Sequence, residues 1–174
     1  MSALVWLAAT DFAVAQEGLP DRVAALARLG AAHEVPEGGH LGLVQAIRDA
    51  RNDQCIAIIA SHPDDQYVLP AAYLRRDEGY RVAVVLMTRG EGGQNNEGPE
   101  VGDALAALRT IETESCARTL GAEIHYPNRA DGGFCRTAAE AFDLWGRTST
   151  VRELARVLRR IRPDVVLTTH HPAE

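Results

Sequence analysis

Cysteine is scarce in this chain: Cys55, Cys116 and Cys135 are odd in number, lie far apart and include no C-x-x-C pair. Neither a disulfide framework nor a thiolate zinc site is indicated, which leaves the three as small core residues. No run of 18 apolar residues occurs, so no membrane-spanning helix is expected. Basic clusters are missing too. The formal net charge is -6, and the arginines are scattered along helical patterns, as at Arg152, Arg156, Arg159 and Arg160. Nucleic-acid binding leaves clustered Lys and Arg, so that class is disfavoured. Aromatics, at 5%, give no hint of a lipid or glycan carrier. Internal repeats and low-complexity tracts are absent. So is a G-x-G-x-x-G directly after the first apolar run, which a dinucleotide-binding module would carry.

What is there suits one soluble globular domain: 174 residues, 46% hydrophobic and 24% charged. Residues 1–50 read as an N-terminal extension. Its first residues, "MSALVWLAATDFAVAQ", hold a short apolar stretch and Ala13-Val14-Ala15, but lack a basic n-region and contain Asp11. A signal segment, implying export, and a plain extension of a cytoplasmic protein both remain open. Two helical patterns follow, "DRVAALARLG" and "LGLVQAIRDA", split by "EVPEGG".

From residue 51 onward apolar runs alternate with helical patterns. "CIAIIA", "VAVVLMT", "AEIHYPN" and "DVVLTT" read as strands, and continuous apolar runs suit parallel strands covered on both faces. Val101, Leu105, Leu108 and Ile111 repeat at helical spacing ahead of Gly121, a C-cap. Thr150 and Glu153 have the spacing of a capping box, followed by an apolar stripe of Val151, Leu154, Leu158 and Ile161 that Pro163 stops. The alternation predicts an α/β fold with a parallel sheet and helices on both faces. Right-handed crossovers then bring all carboxyl ends of the strands to one edge, where open α/β sheets bind ligands. His62, Asp64, Asp65, Arg89 and His170 fall just beyond strand ends. The polar, Gly-rich stretch "RGEGGQNNEGPE" is a long loop at the same edge, of the kind that carries function.

"IAIIASHPDDQ" concentrates the chemistry. Pro63 stiffens the turn and pushes His62 toward extended geometry, so residues 62 and 65 can converge while residue 64 points elsewhere. An imidazole nitrogen and a carboxylate oxygen both suit a borderline cation, and a catalytic zinc site commonly uses three protein ligands and one open position. His62 and Asp65 would supply two ligands, and Asp64 would accept the proton of an activated water. The competing explanation is that the two aspartates cap the next helix, "QYVLPAAYLRRDEG".

Taken in order, "SHPDDQ", "LMTRGEGGQN", "LRTIETESCARTLGAE", "DGGF" and "RRIRPDVVLTT" resemble the PIG-L family, the LmbE-like zinc-dependent de-N-acetylases, over about residues 53–170. The resemblance implies a Rossmann-like fold and hydrolysis of an N-acetyl group from a small N-acetylglucosamine-type conjugate, giving acetate and a free amino sugar. It implies His62 and Asp65 as metal ligands, Asp64 as general base, Arg89 in the substrate pocket and Asp131 near the sugar hydroxyls. Zn²⁺ is the implied cofactor, and His with carboxylate ligands suits Fe²⁺ as well. Gln66 departs from the glutamate usual in the family after the two aspartates.

The family takes its third metal ligand from a G-H-x-x-H motif several residues beyond the fourth strand, whereas here the sequence reads "TTHHPAE". Either His170 or His171 completes the site, or the ligand lies beyond Glu174; the second reading, of a domain incomplete at its C-terminal end, is preferred. The rivals are a metal-dependent phosphoesterase, which needs more ligands at strand ends, and a catalytically incomplete remnant that only binds a sugar conjugate.

Overall fold

The computed structural model describes residues 38–168. The apolar first residues, the helical pattern at 21–30 and the histidines at 170 and 171 lie outside them. The elements run α1 (Gly39–Arg51), β1 (Cys55–Ala60), a 3-10 turn (Pro63–Asp65), α2 (Val68–Ala72) continuing into a π-helical turn (Tyr73–Asp77), β2 (Arg81–Leu86), α3 (Asp103–Leu120), β3 (Glu123–His125), α4 (Ala138–Trp145), α5 (Arg147–Ile161) and β4 (Val165–Thr168).

All strand pairs are parallel and the order is β3-β2-β1-β4. Each of the four apolar runs forms a strand, and the two central ones are buried almost throughout. Alternate residues of β1 and β2 serve opposite faces, as the two-residue period of a strand requires. Ile56, Ile58, Val82, Val84 and Leu86 pack with Ala71 and Leu120, from α2 and α3. Cys55, Ala83 and Val85 pack with Ile161, Leu154 and Val157 from α5. Helices therefore cover both faces, and each fully buried Ile, Leu or Val contributes about 1.5–3 kcal/mol.

Helix α3 ends as its sequence demands. Gly121 adopts φ 73, and Ala122 N–H reaches back to the Ala117 carbonyl at 2.9 Å. That closure needs a left-handed residue, which glycine supplies without strain. The capping box expected at Thr150 is not formed. Helix α5 begins three residues earlier, and Thr150 is buried inside it with its N–H bonded to the Gly146 carbonyl at 3.0 Å. The reason is Gly146, whose φ of 72 ends α4 and lets the chain re-enter a helix at once. Val151 is consequently 57% exposed, and Val157 takes its place in the stripe. The reciprocal cap belongs to α4, a helix that the apolar periodicity does not reveal. There Thr137 Oγ1 accepts from Glu140 N–H at 3.3 Å, and Glu140 Oε2 accepts from Arg136 N–H at 2.7 Å.

Helix α1 joins the domain through polar contacts with the π-helical turn. Gln45 Nε2 donates to the Arg75 carbonyl at 3.0 Å, and Arg75 pairs with Asp49 through both guanidinium nitrogens, at 2.5 and 3.0 Å. Its Leu41, Leu43 and Ile47 stay exposed. No helix among the described residues is long and apolar enough to cross a membrane.

Candidate metal centre

The sheet ladder runs past the ends of the strands and fixes where the site begins. Met87 and Thr88 N–H donate to the carbonyls of Ala60 and Ser61, both at 3.0 Å, and Thr88 Oγ1 adds a bond to Ser61 at 2.9 Å. His62 follows directly, extended at φ -123, ψ 161 as the residue before a proline must be. Pro63 then opens a 3-10 turn, closed by Asp65 N–H on the His62 carbonyl at 3.2 Å. With three residues per turn, side chains at i and i+3 eclipse, so His62 and Asp65 come to one side.

His62 Nδ1 lies 3.3 Å from Asp65 Oδ2. Ligand atoms of His62, Asp64 and Asp65 all lie within 4.8 Å of one another, the one such group among the described residues. Two ligands on a tetrahedral cation, with bonds of about 2.0–2.1 Å, sit about 3.3 Å apart. The separation and the mixed N and O donors therefore fit a divalent cation. Helix capping does not explain the aspartates. The N-cap of α2 is Tyr67, left-handed at φ 49, and it receives no side-chain cap.

Asp64 also faces a cleft of about 340 Å³, lined with Pro63, Gln66, Arg109, Glu112 and Cys116. That volume is at the low end for small-molecule sites. Burial raises the Cys116 thiol above its usual range, so it is a poor nucleophile. Gln66, in place of a glutamate, is buried.

Arg89 and Asp131 come to the same edge. Arg89 Nε donates to Asn128 Oδ1 at 3.0 Å and Nη1 to Thr110 Oγ1 at 2.8 Å, while the guanidinium stacks 4.0 Å over the Tyr126 ring. Burial pushes the Tyr126 phenol up. Asp131 lies against His62, with Oδ1 3.3 Å from Nε2, and its side chain is 1% exposed.

Two residues that the motifs did not single out hold this edge together. Arg109 donates to the carbonyls of Gly90 at 2.6 Å and Gln94 at 2.8 Å, which pins the Gly-rich loop. Glu91 accepts Asp131 N–H at 2.8 Å and so ties that loop to the one after β3. Arg109 was legible as a lone cation four residues after Leu105 on the apolar stripe; Glu91 carried no signal beyond its place in the loop.

Comparison with known proteins places these observations. Residues 57–174, more than half of the chain, match the PIG-L family, described as GlcNAc-PI de-N-acetylase. Among solved structures, the N,N'-diacetylchitobiose deacetylase from Pyrococcus horikoshii, complexed with its inhibitor MPG, is similar at 29% identity and a TM-score of 0.50, over 65% of this chain and 39% of that one. The conserved protein TT1542 from Thermus thermophilus is 26% identical over 64% of this chain and 44% of its own, with a TM-score of 0.39. The chain thus spans less than half the length of either.

Proposed function

Since the chain belongs to the PIG-L family, we propose that it carries the metal site of a hydrolase that removes the N-acetyl group from an N-acetylglucosamine-type conjugate. The observation that carries this reading is the convergence of His62, Asp64 and Asp65 within 4.8 Å at the carboxyl edge of a parallel sheet. The similarity to a deacetylase of N,N'-diacetylchitobiose supports an amino-sugar substrate.

His62 and Asp65 would hold the cation, Zn²⁺ or Fe²⁺ given one nitrogen and one oxygen donor. A bound divalent cation supplies Lewis acidity, toward a water and toward the amide carbonyl. Asp64 accepts the proton of the attacking water and passes it to the departing amine. The new bond joins the water oxygen to the acyl carbon, the C–N bond breaks, and acetate and a free amino sugar result. Asp64 suits this role because it belongs both to the cluster and to the wall of the cleft, and among the described residues no cation pairs with it. Arg89 is the proposed substrate contact. Its ring stack and two hydrogen bonds fix the guanidinium, and Nη2, which donates no hydrogen bond among the described residues, is left for a sugar oxygen. The third ligand is proposed to lie outside the described residues, at His170, at His171 or beyond Glu174.

Incubation of the zinc-loaded 174-residue chain with N,N'-diacetylchitobiose, followed by assay of free amine and acetate, tests the reading. Equal release of both supports it. Zinc binding without release from this or any other N-acetylglucosamine conjugate would leave a binding remnant instead. A two-metal phosphoesterase needs a second ligand set, and the described residues hold one.

A further inference from the structure

Helix α1 meets the domain with its polar face and turns its apolar face outward. Gln45 and Arg48 donate to the carbonyls of Arg75 at 3.0 Å and Arg76 at 2.6 Å, and Asp49 pairs with Arg75. On the opposite side Leu43, Ala46, Ile47 and Ala50 follow at the i, i+3, i+4, i+7 spacing of one helix face, and all four are exposed, Leu43 at 60% and Ile47 at 50%. No residue of α1 is buried. A stripe at that spacing normally faces a core, so one left outward on a helix already anchored by its other face marks a surface for a second element.

The chain itself carries a match. Ahead of α1, in "DRVAALARLG", Val23, Leu26, Ala27 and Gly30 hold the same i, i+3, i+4, i+7 places, in residues that lie outside the described ones. Eight residues, 31–38, join the two stretches and include Pro36 and Gly38. That length is within the usual range for a connection between antiparallel helices. Antiparallel pairing with Leu26 opposite Ile47 sets Val23 against Ala50 and Gly30 against Leu43, so large side chains meet small ones at both ends. The same register brings Asp21 to the last turn of α1, which carries Arg48 and Arg51.

We propose that the outward face of α1 is the docking site of residues 21–30, which cover Leu43 and Ile47 as the other helix of an antiparallel hairpin. The N-terminal stretch is then part of the domain, fastened through α1 and Arg75 to the turn that follows α2. A helix this short is marginal in water by itself, so lasting order in 21–30 measures its packing.

The test is amide hydrogen exchange, read by mass spectrometry on the full chain and on a variant with Leu43→Lys and Ile47→Lys. Both positions are exposed and neither belongs to a core cluster, so β1 and β2 should exchange unchanged. Residues 21–30 are expected to be protected in the unaltered monomer and to exchange about 10-fold faster or more in the variant, the scale of losing one buried Leu or Ile. Val23→Lys with Leu26→Lys should in turn speed exchange of residues 43–50. Exchange of 21–30 at the rate of an unfolded peptide, or protection that the lysines leave untouched, overturns the proposal. So does a dimer in sedimentation, or co-sedimentation with phosphatidylglycerol vesicles, that the Leu43 and Ile47 variant abolishes, since the face then serves a second copy or a membrane surface.

Discussion

The two edges of the sheet use the same residue types to opposite ends. At the amino edge charges are matched and tied to the backbone. Arg81 Nε pairs with Glu123 at 2.7 Å and Arg81 Nη2 caps the Ile161 carbonyl at the end of α5, at 2.8 Å. Asp164 Oδ2 accepts Cys55 N–H at 2.7 Å, and Asp164 N–H returns a bond to the Cys55 carbonyl at 2.8 Å. At the carboxyl edge three carboxylates crowd one imidazole: Asp64 and Asp65 in the cluster, Asp131 on the far nitrogen. The nearby arginines are committed elsewhere, Arg109 to carbonyls and Arg89 to Asn128, Thr110 and a ring. Matched charge marks the edge that fastens the strands; carboxylates with no arginine partner among the described residues mark the edge proposed to take a cation.

Substitutions at each edge should separate chemistry from stability. The largest effect is expected from Asp64→Asn, which removes the proposed base without removing a fold contact. Turnover should fall about 10²- to 10⁴-fold while metal content and melting temperature hold; unchanged turnover would assign the base elsewhere. Gly92→Ala should damage both properties, because its Cβ meets backbone atoms at 2.7 and 2.8 Å. A loss of about 1–3 kcal/mol in denaturant unfolding, with weakened metal binding, is expected. At the amino edge, Asp164→Ala leaves the Cys55 N–H without its acceptor. It should cost about 1–3 kcal/mol in the same unfolding assay and leave metal affinity alone. A metal defect in that variant would blur the distinction between the edges.

Asp49, on α1, should give the smallest effect. Its hydrogen bond with Arg75 holds its carboxyl below the usual carboxylate range. A depressed folded-state pKa adds stability above the unfolded value, and this is lost as pH falls through the folded one. The side chain is 40% exposed, so Asp49→Asn should cost less than about 1 kcal/mol at neutral pH and nothing in strong acid. Urea unfolding at several pH values would show the convergence.

The sheet was legible because strands buried on both faces must be continuously apolar, and Ile56 to Ala60 and Val82 to Leu86 are. The pairing of His62 with Asp65 was legible because Pro63 leaves the turn few conformations. Helix α4 was not, since short amphipathic pieces on a surface carry weak periodicity; its Thr137 and Glu140 cap was the available signal. The start of α5 was misplaced because Gly146 breaks the chain more sharply than Thr150 can cap it. The surroundings of Asp131 could not be read at all. They depend on Gly92 and Glu91 meeting it across a long stretch of sequence, a contact that only the sheet topology creates.

The central claim is that the carboxyl edge holds a divalent cation on His62 and Asp65. The most direct measurement is zinc content per chain by elemental analysis, after loading and removal of excess metal, for the unaltered chain and for His62→Ala. Saturable zinc approaching one ion per chain, lost in His62→Ala, is predicted. Zinc retained equally by both proteins would contradict the account, whereas zinc retained by neither would contradict its closure by His170 or His171.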